Sequence, residues 1–157
     1  MPVKQIQNFL DTNHINYSIS KHPQAFTAQE IAAAAHIPGK KLAKTVLVKV
    51  DGKLQMAVLP ASYHLNLDKL RTEIGCQNIR LANEQEFKDK FPDCEVGAMP
   101  PFGNLYGMDV VVADSLVEDE DILFNAGSHT ELMKMRFNDF ENLVHPKLGR
   151  FSSKNRI

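Results

Sequence analysis

Apolar positions in this chain change their spacing several times, and each change marks an element. Val3, Ile6 and Leu10 recur at helical spacing and predict a helix over 3–12, after which INYSI (15–19) alternates as a short strand. Thr27 and Glu30 have the spacing of a capping box, predicting a helix that runs to about His36 and stops before Pro38-Gly39. Two apolar runs, 42–50 and 54–60, flank Asp51-Gly52, a strong hairpin signal. A short helix over 66–75 ends at Gly75, NIRLA (78–82) reads as a strand, and Asn83 with Glu86 opens a helix through about Lys90, closed by Pro92. GAMPPFGNLYG (97–107) holds too many glycines and prolines for helix or strand and predicts a structured loop. MDVVVA and ILFNAG predict further strands, TELMKMRF a further strand or extended segment, and NDFENLVHP a final helix begun by Asn138.

Helices interspersed with hairpin-connected strands, without regular βαβ alternation, predict an α+β (mixed α/β) fold around an antiparallel or mixed sheet. At 157 residues one domain, 1–157, suffices. The tail at 147–157, with four basic and no acidic residues, is expected to be flexible. Charged residues make up 24% and the net charge is −1, so any nucleic-acid contact has to be local rather than driven by global charge. Cys76 and Cys94 stand apart with no metal-ligand spacing, and no apolar run approaches the roughly 18 residues of a membrane span. The N-terminus lacks the apolar stretch of a signal peptide, so the expected location is cytoplasmic and no membrane partner is expected. Dinucleotide, nucleotide and zinc-protease signatures are absent, and no cofactor or metal is implied.

Lys44 raises the sharpest chemical question. In LAKTVLVKV (42–50) it shares a strand face with Leu42, Val46, Val48 and Val50. Either its methylenes cover the core while the ammonium reaches water, or it floors a cleft where a positive charge meets an anion or developing oxyanion. GAMPPFG offers backbone that can approach a ligand closely, and its N–H groups would serve a carbonyl oxygen; the alternative is a rigid surface turn. His129 in NAGSHT follows a predicted strand, and His22 is held extended by Pro23, which would aim it at the cleft. The acidic run DSLVEDED (114–121) reads as a solvated loop, and Cys94 lacks a visible base.

AKTVLVKVDGKLQMAVLP, LDKLRTEIG, GAMPPFG and FNAGSHTELMKM occur in an order that resembles the YbaK/ProX family of trans-editing aminoacyl-tRNA deacylases, whose domain is also inserted in bacterial prolyl-tRNA synthetases. The resemblance runs from about Tyr17 to Pro146. It implies a central mixed, barrel-like sheet flanked by helices and a pocket for the aminoacyl-adenosine end of mischarged tRNA. Lys44 matches the family's essential lysine. Gly97, Ala98, Met99 and Pro100 match the pocket-wall loop, and Gly127 and Ser128 the small-residue segment opposite, with His129 beside it tuning amino-acid choice. The implied partners are mischarged tRNA and an aminoacyl-tRNA synthetase. An activated ester needs no protein nucleophile if water or a substrate hydroxyl is well placed. The alternatives are a non-catalytic aminoacyl-adenosine or synthetase-binding module of the same fold, and a small-molecule hydrolase using Cys94 or His129.

Overall fold

Asp51 and Gly52 take φ of 47° and 87°, the mirror-image turn whose twist suits a two-residue hairpin. The computed structural model, which describes residues 4–22, 41–118 and 120–154, builds outward from that turn. It joins β2 (Ala43–Val50) to β3 (Lys53–Pro60) in antiparallel register, from Val50 opposite Lys53 to Ala43 opposite Pro60. The Asp51 carboxylate accepts the N–H groups of Gln77 and Asn78 at 3.2 and 2.8 Å, which fixes the chain entering β5 (Ile79–Leu81) against the free edge of β2.

On the other side β3 pairs in parallel with β6 (Asp109–Ala113), and β6 with β9 (Lys147–Gly149). The result is a five-stranded mixed sheet of order β5-β2-β3-β6-β9. An antiparallel second sheet has the order β1-β8-β7, from β1 (Tyr17–Lys21), β8 (Glu131–Arg136) and β7 (Asp121–Asn125). A parallel bridge between Leu42 and Leu123 links the two at the start of β2. The mixed α/β fold expected from sequence is the one observed.

Both faces of β2 are covered, as befits a strand with neighbours on both edges. Ala43 and Leu47 join a first core with Met56, Val58, Phe102, Phe124, Met133 and Phe140. Val48 and Val50 join a second with Ala57, Leu59, Leu70, Val111 and Phe151. The valine face that carries Lys44 is therefore one of two buried sides.

Helices seal these cores by their apolar positions. Helix α1 (Lys4–Thr12) buries Ile6 and Leu10. Helix α2 (Leu67–Ile74) begins where the Asn66 side chain accepts Lys69 N–H, ends at left-handed Gly75, and buries Leu70. At α3 (Glu84–Phe87), Asn83 and Glu86 form the full reciprocal cap, and the chain continues as a 3-10 turn through Lys90. Glu86 also receives a two-pronged contact from Arg80 at 2.6 and 2.7 Å, with Lys49 3.6 Å away. The Arg80 hydrogen bonds lead in holding the Glu86 carboxyl down at about 2. A depressed carboxylate stabilises the fold above its unfolded value, and that contribution fades as pH falls towards 2. Urea unfolding should therefore find wild type more stable than Glu86→Gln at pH 6–7, with the gap closing between about pH 5 and 2.

Several expectations need correction. The 97–107 stretch contains a 3-10 turn, Gly103–Tyr106, placed by packing: a Cβ at Gly103 would lie 2.6 Å from a Val110 methyl and 2.7 Å from Met108 O. The acidic run opens with one helical turn, α4 (Asp114–Val117), because Leu116 is drawn into the first core. The last helix, α5 (Phe137–Val144), starts one residue before Asn138, with no side-chain cap, because Phe137 and Phe140 anchor it. From Lys147 to Ser153 the expected tail is packed. Gly149 ends a paired strand, Phe151 is fully buried, β10 (Ser152–Ser153) pairs with β4 (His64–Leu65), and Arg150 meets Asp114 at 3.1 Å. The helix expected to end near His36 lies outside the described residues.

Candidate functional site

Two glycine-bearing loops meet where β7 turns into β8 and where the chain leaves the turns after Phe91. Gly127, at φ 100°, lets the 126–130 loop double back, and Gly97, at φ 86°, does the same for the facing loop. Backbone hydrogen bonds lace them together: Glu95 N–H to Gly127 O at 2.8 Å and Gly127 N–H to Ala98 O at 3.0 Å. The Glu95 carboxylate accepts His129 N–H at 3.2 Å.

The His129 ring is 4% exposed and packs against Gly97, where an added Cβ would sit 3.5 Å from Cε1. Its Nε2 lies 2.7 Å from Val96 O, and since a carbonyl can only accept, Nε2 carries the proton. Ser128 is buried with its hydroxyl 3.3 Å from that of Thr130. His22 is buried beside them, its N–H donating to Thr130 O at 2.9 Å as the chain leaves β1. Pro100 and Met99 are buried, and Met99 belongs to the first core.

The structure thus brings His22, the 97–100 loop and the 127–129 segment into one cluster. The lacing also changes which amides are available. Gly97 N–H points to the Met99 sulfur, Ala98 N–H to Glu95 O and Gly127 N–H to Ala98 O. Among the described residues, the N–H groups of Met99 and Ser128 have no such partner. Glu95 was missed in the sequence because an exposed acid beside a turn looks like any solvated carboxylate.

Lys44 lies on β2, opposite Leu59 and two residues beyond the Leu42–Leu123 bridge that joins β2 to the strand leading into the 126–130 loop. It is half-buried, and burial pushes its ammonium below the ordinary value of 10.5. Among the described residues its ammonium has no hydrogen bond or ion pair. A positive charge held part-way out of water without a counterion is poised for an anionic or electron-rich group. Clefts of about 520 and 460 Å³ open on the opposite end of the hairpin, around Gln55, Met108 and Asp109, and contain none of these residues. Cys94 lies 3.8 Å from the Tyr106 hydroxyl, and burial raises its thiol, so it has no activated nucleophile's environment. No cluster of three metal-ligating side chains occurs among the described residues.

The lysine-bearing strand and the two interlaced glycine loops thus meet within one small mixed α/β domain. The chain belongs to the aminoacyl-tRNA editing domain family, which it matches over residues 22–143. It is similar to the proline–tRNA ligase of Bacillus mycoides (strain KBAB4), 30% identical over 95 residues, covering 60% of this chain and 16% of the ligase. To the Staphylococcus saprophyticus proline–tRNA ligase it is 31% identical over 99 residues, 62% of this chain and 17% of that one. The chain therefore spans only a small part of these curated relatives. In fold it is similar to the hypothetical protein APE2540, with a TM-score of 0.85 over 96% of this chain and 100% of that one at 18% identity. A candidate trans-editing enzyme for prolyl tRNA synthetase gives 0.81 over 96% of both chains at 17% identity.

Proposed function

We propose that this protein hydrolyses the ester of mischarged tRNA, releasing a small, wrongly attached amino acid. The observation that carries the reading is the half-buried Lys44, its ammonium unpaired among the described residues, on a strand joined to the laced loops in a chain of the aminoacyl-tRNA editing domain family. In the reaction a water oxygen attacks the ester carbonyl carbon. The bond to the ribose oxygen breaks, that oxygen takes up a proton, and free amino acid and tRNA result. An aminoacyl ester is already activated, so placement and charge stabilisation supply the rate without a protein nucleophile.

Lys44 stabilises negative charge on the carbonyl oxygen or binds the terminal phosphate, and the Met99 and Ser128 N–H groups are the amides left to orient the carbonyl. The similarity to proline–tRNA ligases supports tRNA for proline as substrate and such a ligase as partner. Small residues at 126–128 and the fixed His129 ring set the depth of the pocket, which distinguishes single methylenes by about 1–3 kcal/mol. The test is ester loss from a panel of tRNAs charged with alanine, cysteine, serine, threonine or proline.

His129 is assigned to shape rather than proton transfer, since its Nε2 proton is committed to Val96 O. His129→Ala should change the relative rates among amino acids while leaving measurable hydrolysis. Loss on every substrate by a folded variant would make the histidine catalytic instead.

A further inference from the structure

Asn125 is the last residue of β7, immediately before the small-residue segment, and it is 6% exposed. Its amide oxygen is buried with no hydrogen-bond partner among the described residues. Buried polar groups in native proteins are paired in the great majority of cases, and an orphan is destabilising. Strand chemistry does not account for the residue either, because asparagine is a poor strand former and Leu132 faces it across the sheet.

Side-chain alternation says where this amide stands. Ile122 and Phe124 on β7, like Ala43 and Leu47 on β2, belong to the first core. Leu123 and Asn125 therefore occupy the opposite face of β7, as Leu42 and Lys44 occupy the opposite face of β2. The strands are parallel where Leu42 meets Leu123, so these two faces are one continuous side of the joined sheets. Lys44 and Asn125 each come two residues after the bridge, on that shared side.

Among the described residues, an ammonium without a partner and a buried amide oxygen without a partner thus lie at matching positions past one bridge, on one side of the joined sheets, and they are not hydrogen-bonded to each other. A cation between them, such as the amino group of an amino acid, would be repelled by Lys44. A carboxylate would suit Lys44 and leave the amide oxygen facing an acceptor. A hydroxyl satisfies both, donating its proton to the amide oxygen while its lone pairs face the ammonium.

We propose that Asn125 is a substrate-site residue whose amide oxygen accepts a hydrogen bond from a neutral hydroxyl, either a ribose hydroxyl of the terminal adenosine or the attacking water, shared with Lys44. The inference rests on the deacylase reading and adds to it a residue that orients the hydroxyl's proton away from Lys44, leaving a lone pair directed at the cation. If the hydroxyl is the attacking water, the same contact fixes its orientation.

The test uses Asn125→Leu and Asn125→Ala in the full chain, with hydrolysis of whichever mischarged tRNA wild type cleaves and melting temperature measured together. Losing one such hydrogen bond should lower kcat/KM about 10-fold or more for both variants. Asn125→Leu should melt at or above the wild-type temperature, because an orphan acceptor has been replaced by an apolar side chain of similar size. Substrates ending in 2′-deoxy- or 3′-deoxyadenosine separate the two sources. If the ribose supplies the hydroxyl, the Asn125→Leu penalty disappears on the deoxy substrate that lacks it, whereas a penalty that persists on both assigns the water. Unchanged kcat/KM in both variants would overturn the proposal while leaving the deacylase reading intact. A lowered melting temperature, or failure of both variants to fold, would make the amide structural and overturn it as well. An inactive wild type would refute the deacylase reading itself, and this inference with it.

Discussion

Lys44→Met is expected to abolish ester hydrolysis while leaving the protein at least as stable as wild type. Removing a charge-stabilising donor from a site of this kind costs about 100- to 1,000-fold in rate, and a fall of at least that order in kcat/KM is the predicted outcome. The stability result follows from the ammonium's surroundings. Burial lowers the Lys44 pKa, so the unfolded chain holds this proton more tightly than the folded one does. Folding is penalised at neutral pH, and stability rises with pH through the window between the lowered folded value and 10.5. Methionine keeps the stem's packing and removes that penalty. Its gain over wild type should be largest near neutrality and shrink as pH approaches 10.5. Loss of both activity and stability would give Lys44 a structural role. Retained activity would remove it from the chemistry.

Phe102→Ala should be the most destabilising single change proposed for this fold. Phe102 is fully buried in the first core, its ring centroid 6.2 Å from Phe9, 5.5 Å from Phe124 and 5.4 Å from Phe140, each in edge-on contact. Truncating such a phenylalanine costs about 3–5 kcal/mol, a large part of the roughly 5–15 kcal/mol that typically separates folded from unfolded states. The same residue anchors the end of the 97–100 loop, with its N–H donating to Pro100 O at 2.9 Å. Activity should therefore fall even below the unfolding midpoint, because the loop facing Gly127 and His129 loses its anchor. Urea titration measures the first effect and ester hydrolysis in the folded range the second. A change under about 1 kcal/mol would mean that the aromatic cluster does not organise this core.

Local chemistry made much of this architecture legible. Asp51-Gly52 announced the hairpin because so few residues accept the left-handed conformations the turn requires, and Asn66, Gly75, Asn83 and Glu86 marked helix ends by what their side chains or backbones can do there. Contacts distant in sequence were not legible. Phe137 starts the last helix without a cap because tertiary burial outweighs the missing cap, and Phe151 holds down a tail whose basic composition suggested fraying. At the site, the sequence singled out His22, the 97–100 loop and the 127–129 segment, which the fold clusters. It did not reveal which amide groups the lacing consumes. Glu95 was hidden because its acceptor role depends on a loop more than thirty residues away. Asn125 was hidden because an unpaired buried oxygen is a property of surroundings, not of residue type.

If the laced loops and Lys44 form the proposed site for hydrolysing mischarged tRNA, wild-type protein discriminates between esters on one tRNA. The rate to measure is ester loss from tRNA for proline charged with alanine, cysteine, serine or threonine, against the same tRNA charged with proline, in the presence of wild-type protein. At least one of these small non-cognate esters should be hydrolysed well above the spontaneous rate while the prolyl ester is spared, with the difference abolished in Lys44→Met. Folded wild-type protein that accelerates ester loss from no member of the panel would contradict it.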